Sequence, residues 1–198
     1  EQENLMRGHR AMDFYVIKEG EVAFTKLVQA LIENDFNKEA VHGQLPSVFS
    51  IDSGDIFHPA ETVERLTDIT QVPSPYLAGK LDEFFDGKLL PIIQTNRGCP
   101  FTCTFCVEGV GYYGKVYHNA QEKISAEINY IGKSMESVAR DGGRNDLFIA
   151  DSNFGMYKSD LETCQQLAQS QSAYNWPEYI NVATGKNKKA RVLEASRI

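Results

Sequence analysis

The sequence predicts an α/β protein in which parallel strands alternate with helices. Three short apolar segments have the length and composition of buried strands: LLPIIQT at 89–95, DLFIAD at 146–151 and YINVAT at 179–184. Helical patterns separate these segments, the first of them over about 120–139. Strands that alternate with helices in this way form parallel sheets with right-handed crossovers.

Each predicted helix has its own sequence signal. In the first, apolar residues recur every three or four positions, which places them on one face: Ile124, Ile128, Ile131, Met135 and Val138. The second helix carries Cys164 on its apolar side, and Ser159 with Glu162 forms the pattern of a capping box at its start. Both helices are therefore expected to pack one face against the sheet.

The region before residue 88 is organised differently. DFYVI at 13–17 predicts a strand, and a helix with four apolar residues on one face follows it: Phe24, Leu27, Val28 and Leu31. Prolines interrupt the chain from about 37 onward. We therefore predict a first segment at 1–36, a linker at 37–87 and a third segment at 88–198, with both chain ends falling inside elements of a longer protein.

Composition narrows the class of function. The chain has 198 residues and a formal charge of -7, so a broad cationic surface for nucleic acid is not expected. This balance favours a small-molecule or protein substrate. Without a long apolar run or a signal-like start, the sequence predicts a cytoplasmic protein with no membrane segment.

The most informative segment is QTNRGCPFTCTFCVE at 94–108. Cys99, Cys103 and Cys106 are separated by three and then two residues, and this clustering favours metal binding over disulfides. Three thiolates can hold a cubic iron-sulfur cluster and leave its fourth iron without a protein ligand.

This segment resembles the signature of the radical S-adenosylmethionine (radical SAM) superfamily, in which an aromatic residue precedes the third cysteine, as Phe105 does here. The resemblance extends to an arrangement seen in cobalamin-binding members. DFYVIKEGEVAF resembles the end of their cobalamin domain, and PSPYLAGKLDEFFDGKLLPIIQT resembles their linker and first barrel strand.

The resemblance implies the end of a Rossmann-like cobalamin-binding domain at 1–36 and the first half of a partial (β/α) radical SAM barrel at 88–198. It implies a 4Fe-4S cluster that cleaves S-adenosylmethionine (SAM) reductively to a 5'-deoxyadenosyl radical. The implied cofactors are the cluster, SAM and, as in the cobalamin-binding members, cobalamin. An electron donor such as flavodoxin or ferredoxin is the implied partner, and the substrate is not specified.

The resemblance also suggests residues that bind SAM. Many members carry a Gly-Gly-Glu stretch after the second strand, whereas this chain has ADSNFGM at 150–156. Asp151 and Asn153 are the implied substitutes, with Phe105 near the cofactor. The alternative is that Asp151 caps a turn that Asn153 helps to form.

Other interpretations of the cysteines remain open at this stage. A structural zinc site would need His118 or Cys164 as a fourth ligand, and a ferredoxin-like site would need Cys164. A non-catalytic iron-sulfur or zinc module is thus the alternative to a radical enzyme.

Two further segments are ambiguous. GVGYYG at 109–114 matches a dinucleotide fingerprint by letter, but its context instead predicts a loop that folds back near the cluster. The first expectation for Glu108, Tyr112 and Tyr113 is that they contact the substrate. The alternative is that the loop aromatics only pack over the residues beneath them. The basic run after the third strand predicts a solvated helix start, with contact to an anionic substrate as the alternative: Lys186, Lys188, Lys189 and Arg191.

Overall fold

A computed structural model describes residues 1–63 and 65–198, which form two compact units, 1–66 and 67–198. The predicted linker at 37–87 is divided between these units. Its first part supplies two strands of the first unit, so the chain changes unit between Leu66 and Thr67. Within the described residues, no helix is long and apolar enough to cross a bilayer.

The first unit contains two helices and a three-stranded sheet: α1 (Gln2–Gly8), β1 (Phe14–Val16), α2 (Gly20–Glu33), β2 (Val48–Ile51) and β3 (Phe57–His58). The sheet order is β1-β2-β3, and both described pairings are antiparallel. A Rossmann-like segment would contribute parallel strands. The short connection at 52–56 instead returns the chain as a hairpin, because a parallel crossover needs a dozen or more residues.

The helix predicted in this unit is present, but its buried face is rotated from the predicted one. Ala23 and Leu27 are buried against Val41 and Val48, whereas Phe24 is 59% exposed. The spacing of apolar residues shows which side of α2 is apolar. It does not show which of those residues are buried in this unit and which are exposed.

The second unit contains the predicted alternation: β4 (Ile92–Ile93), β5 (Asn96–Arg97), β6 (Tyr117–His118), α3 (Gln121–Arg140), β7 (Asp146–Phe154), α4 (Lys158–Tyr174), β8 (Tyr179–Thr184) and α5 (Lys189–Ala195). β4, β7 and β8 form a parallel sheet in that order, which confirms the predicted parallel pairing. β5 and β6 form a separate antiparallel pair.

Two details of this unit differ from the prediction. The strand predicted at 89–95 is reduced to β4, because the chain turns away after Ile93 to form the β5–β6 pair. The start of α4 is capped by Asp160, whose Oδ2 accepts a hydrogen bond from the Tyr157 backbone N–H at 2.9 Å. The predicted capping box of Ser159 and Glu162 was therefore wrong, because the N-cap is Tyr157, two residues before Ser159, and the helix begins at Lys158.

The core of the second unit lies between α3, α4 and the parallel sheet. The predicted apolar stripe of α3 is confirmed, with Ile131 fully buried and Val138 partly buried at the edge of the cluster. Leu147 and Ile149 of β7 are also fully buried. Alternate residues of β7 therefore face this core, as expected for a strand covered by helices.

This packing predicts the effect of truncating Ile131. Ile131→Ala should lower the free energy of unfolding by about 2–5 kcal/mol, because it removes buried methylene groups and leaves a cavity. Ile92→Ala is the control, since Ile92 is 50% exposed. In urea denaturation, Ile92→Ala should lower the free energy of unfolding by clearly less than Ile131→Ala does. Equal losses in the two variants would contradict the position of the core.

Candidate metal centre

The three clustered cysteines lie in one closed loop. β5 and β6 pair Asn96 with His118 and Arg97 with Tyr117, so residues 98–116 are enclosed between paired strands. We call residues 98–116 the cysteine loop. Below the pair, the Asn119 backbone N–H donates to the Thr95 carbonyl at 2.8 Å and extends the closure. The base of the loop is thus fixed on both sides by backbone hydrogen bonds.

The glycines allow the loop to fold tightly on itself. Gly98 has a φ of +116°, and a Cβ atom there would lie 2.9 Å from the Tyr113 carbonyl oxygen. The Cys99 backbone N–H donates to that same oxygen at 2.9 Å. Gly109 is equally confined, because a Cβ would collide with the Cys103 carbonyl. The glycine-rich segment therefore returns to the cysteines, as the sequence predicts.

The three thiols differ in their exposure to solvent. Cys99 is only 4% exposed, Cys103 is partly exposed, and Cys106 is exposed; all three are free. The Cys106 backbone N–H donates to the Cys103 carbonyl at 3.1 Å, which sets the turn between them. One of the three thiols is thus buried in the unit, while the other two are open to solvent.

The buried carboxylate of Asp151 holds the start of this hairpin. Its Oδ1 accepts from the backbone N–H groups of Thr95 at 2.9 Å and Asn96 at 3.2 Å. Its Oδ2 accepts from the Thr95 hydroxyl, and from the Asn96 side-chain amide at 2.8 Å. Asp151 is 2% exposed. All four contacts are made to the segment that leads into the cysteine loop.

Burial and hydrogen bonding act on Asp151 in opposite directions. Burial raises the pKa of this carboxyl to about 6, while the Thr95 and Asn96 donors favour the charged form and limit the rise. Both oxygens are engaged within the chain. The turn that the sequence-based alternative placed at Asp151 and Asn153 is not formed, because both residues lie within the strand β7. Asp151 instead anchors the segment at Thr95 and Asn96, and SAM binding by Asp151 stays a prediction.

Asn153 lies two residues further along β7 and contacts the cysteine loop directly. Its side-chain Nδ2 donates to the Cys99 sulfur at 3.2 Å. Its Oδ1 accepts from the Lys186 ammonium at 3.4 Å. Asn153 is 1% exposed. Both polar ends of this side chain are therefore paired, and its proposed contact with SAM also stays a prediction.

Sequence reasoning missed Lys186 and Arg191 as part of this region. Lys186 contacts Asn153, and its Nζ lies 5.6 Å from the centre of the Phe101 ring in the cysteine loop. Arg191 donates to the Met156 carbonyl, just after β7. The sequence signal was their position after the third parallel strand, because neighbouring parallel strands end at the same edge of a sheet.

The remaining predicted residues lie towards the tip and return side of the loop. Phe105 is 91% exposed. Glu108 is partly buried in a 3-10 turn at Val107–Gly109. The rings of Tyr112 and Tyr113 meet edge to face with centroids 4.9 Å apart. Their roles toward cofactor or substrate stay predictions.

Two known proteins are similar to this chain over almost its whole length. The chain is 32% identical over 195 residues to 2-(S-pantetheinyl)-carbapenam-3-carboxylate methyltransferase of Streptantibioticus cattleyicolor, covering 96% of this chain and 27% of the relative. It is 28% identical over 200 residues to the cobalamin-dependent radical SAM methyltransferase TokK of Streptomyces tokunonensis, covering 98% and 28%. This chain is related to the cobalamin-binding radical SAM enzymes.

Solved structures of such radical SAM enzymes share the fold. Apo OxsB, a cobalamin-dependent SAM radical enzyme, superposes with a TM-score of 0.61 at 14% identity, covering 100% of this chain and 27% of OxsB. The radical SAM methyltransferase TsrM of Kitasatospora setae gives 0.52 at 15% identity, covering 87% and 32%. No protein-family profile matches the chain. The chain spans about a quarter of the length of its curated relatives.

The donor atoms fit the cluster of a radical SAM enzyme. In the part of the chain that the structure describes, no three His, Cys, Asp or Glu side chains are grouped to hold a single metal ion. In a 4Fe-4S cluster, however, each cysteine sulfur binds a different iron, so the ligands surround a larger group. Three free thiols in one closed loop supply that donor set. A cluster that leaves one iron open does not require a fourth cysteine.

Cys164 is positioned for packing. It lies in α4 and contacts the main core cluster of the second unit. Burial raises the pKa of its thiol to about 11, whereas metals bind the thiolate. A ferredoxin-like site closed by Cys164 would therefore have to deprotonate a buried thiol.

The anchoring carboxylate predicts a pH effect on stability. Because the pKa of Asp151 is about 6 when folded and ordinarily 3.8, the folded protein holds this proton more tightly. The contribution is complete below about pH 4 and is lost as the pH rises through about 6. Urea denaturation at pH 4 to 7 should therefore show a decline of roughly 1–3 kcal/mol that Asp151→Asn lacks.

Glu162→Gln, at an exposed position of α4, is the control for this experiment. It should keep the wild-type pH profile. If Asp151→Asn also kept that profile, the buried carboxyl would not be the group responsible.

Proposed function

We propose that this chain carries the cluster-binding part of a radical SAM enzyme, with Cys99, Cys103 and Cys106 as the ligands of a 4Fe-4S cluster. The observation that carries the proposal is the closed loop that holds three free thiols at the carboxyl end of the parallel sheet. Ligands of parallel α/β proteins gather at this edge. Sequence similarity to named radical SAM methyltransferases supports the same assignment.

The bound cluster would supply the electron that cleaves SAM to a 5'-deoxyadenosyl radical. The residues of this chain position that chemistry. Asp151 fixes the base of the loop to β7 through Thr95 and Asn96. The buried Cys99 holds its sulfur away from solvent, which also limits access of water and oxygen at that ligand.

The open coordination site follows from the number of cysteines in the loop. Three thiolates leave one iron free for a ligand that is not protein. Amino and carboxylate groups of SAM are suitable ligands for that iron. Phe105 precedes the third cysteine, and its exposed ring is available to a bound cofactor at the loop tip.

We extend the proposal to a cobalamin-dependent reaction. Both relatives described above are named as methyltransferases, and one of these names states cobalamin dependence. The first relative acts on a carbapenam carboxylate according to its name, which supports a small-molecule substrate over a protein. Because SAM cleavage consumes an electron, the proposal includes an external donor such as flavodoxin or ferredoxin.

The cysteine ligands can be tested directly. Anaerobic reconstitution of the full-length protein should give a brown protein with about four iron atoms per chain. Replacing any one of Cys99, Cys103 or Cys106 by Ala should abolish the colour and the bound iron, because each thiolate holds one corner of the cluster. Iron analysis and absorption spectra provide the measurement.

Cys164→Ala is the matched control, because it removes the remaining thiol of the chain and leaves the loop intact. It should retain the iron and lose only packing stability. A colourless wild-type protein with tightly bound zinc would refute the cluster. Loss of iron from Cys164→Ala would favour a site closed by four cysteines.

The cobalamin part has a separate test. The full-length protein should bind added hydroxocobalamin, measured by absorbance after removal of free ligand on a desalting column. Cys99→Ala is the control and should still bind it, since the cluster ligands are not expected to contact this cofactor. No binding by a correctly folded, iron-loaded protein would contradict the cobalamin part and leave the cluster assignment standing.

A further inference from the structure

The buried end of β7 contains a hydrogen bond to a proposed cluster ligand. Asn153 Nδ2 donates to Cys99 Sγ at 3.2 Å. Both residues are almost fully buried, at 1% and 4% exposure. Water competes poorly for such a donor and acceptor, and hydrogen bonds are electrostatically stronger in this environment.

Lys186 fixes which end of the Asn153 amide faces the sulfur. An ammonium group only donates hydrogen bonds, so the amide oxygen has to face Lys186 at 3.4 Å. The NH₂ group must then point the other way, toward Cys99. Lys186 itself is held near the loop by the Phe101 ring, 5.6 Å from its Nζ.

We propose that Asn153 is a positioning residue that tunes the reduction potential of the cluster through its hydrogen bond to the Cys99 sulfur. This inference rests on the proposed function, because it requires the cluster to be bound by Cys99. It places Asn153 at the cluster, whereas the family resemblance of the sequence implied a contact with SAM.

The direction of the effect follows from charge. Reduction adds an electron whose charge spreads onto the cysteine sulfurs, and an N–H donor stabilises that added negative charge. Hydrogen bonds to cluster sulfurs are among the factors that set these potentials. The Asn153 donor therefore favours the reduced cluster, and its removal makes the cluster harder to reduce.

The exposure of the three ligands makes this contact significant. Cys106 is exposed and Cys103 is partly exposed, so water can donate hydrogen bonds to both of these sulfurs. Cys99 is shielded, and the chain supplies its donor from β7. The potential thus depends on a side chain whose position is set by the parallel sheet.

The test is a redox titration of the reconstituted full-length protein, followed by electron paramagnetic resonance of the reduced cluster. Asn153→Asp keeps the size of the side chain and its Lys186 partner but replaces the NH₂ donor by oxygen. This variant should shift the equilibrium between oxidised and reduced cluster about tenfold or more toward the oxidised form. For a one-electron reduction, that shift corresponds to a midpoint potential about 59 mV lower. Asn153→Ala should shift the midpoint in the same direction.

Asn181→Ala is the matched control. Asn181 lies on the neighbouring strand β8, and its amide donates to Asp146 at the opposite end of β7. Its midpoint should equal that of the wild type. Iron content and a thermal unfolding curve are recorded for every variant, so that a change in potential is compared at equal cluster loading and equal folding.

Several outcomes separate this inference from the proposed function. A wild-type protein that binds no iron refutes the proposed function itself. An iron-loaded wild type with an unchanged midpoint in both Asn153 variants overturns the inference alone. Weaker SAM binding without a shift in midpoint overturns it as well and supports the cofactor contact. Loss of iron from folded Asn153 variants overturns it because the residue would then hold the cluster.

Lys186 provides an independent variant at an exposed position, should the Asn153 variants fail to fold. Lys186→Gln removes the cation that orients the amide and should lower the midpoint, whereas Lys186→Arg keeps a donor and a charge and should preserve it. Equal midpoints in Lys186→Gln and wild type would overturn the inference.

Discussion

The second unit depends on the contact between the Asp151 carboxylate and the segment at Thr95 and Asn96. β4 contributes only two residues to the parallel sheet, so strand pairing alone gives the following hairpin little attachment. The carboxylate supplies four hydrogen bonds at this point, two of them from backbone N–H groups. Without it, the buried backbone N–H groups of Thr95 and Asn96 would lose this acceptor, and a buried group left unpaired costs about 1–3 kcal/mol.

The same strand changes character along its length. Alternate residues of β7 face one side, where Leu147 and Ile149 belong to the apolar core and Asp151 and Asn153 follow as buried polar residues. The first pair packs with the helices in the core. In the second pair, Asp151 binds the segment that leads into the cysteine loop, and Asn153 binds Cys99 within the loop. One strand therefore connects the stability of the core to the position of the proposed cluster ligands.

The residues that follow the neighbouring strand β8 also contact the polar end of β7. β8 runs parallel beside it, so the residues after β8 arrive at the same sheet edge. Lys186 reaches Asn153, and Arg191 reaches the carbonyl of Met156. A basic run that would otherwise be solvated thus helps to shape a site in a chain related to cobalamin-binding radical SAM enzymes.

The sequence by itself determined the alternation of parallel strands and helices in the second unit, its helix faces and the cysteine motif. Each of these depends on local periodicity or on spacing within a few residues, as in the apolar stripe around Ile131. Only the tertiary structure decided that Asp151 binds Thr95 and that Lys186 reaches Asn153. These contacts join residues 56 and 33 positions apart. Their geometry follows from how the strands align in the sheet, which side-chain patterns along a single segment do not encode.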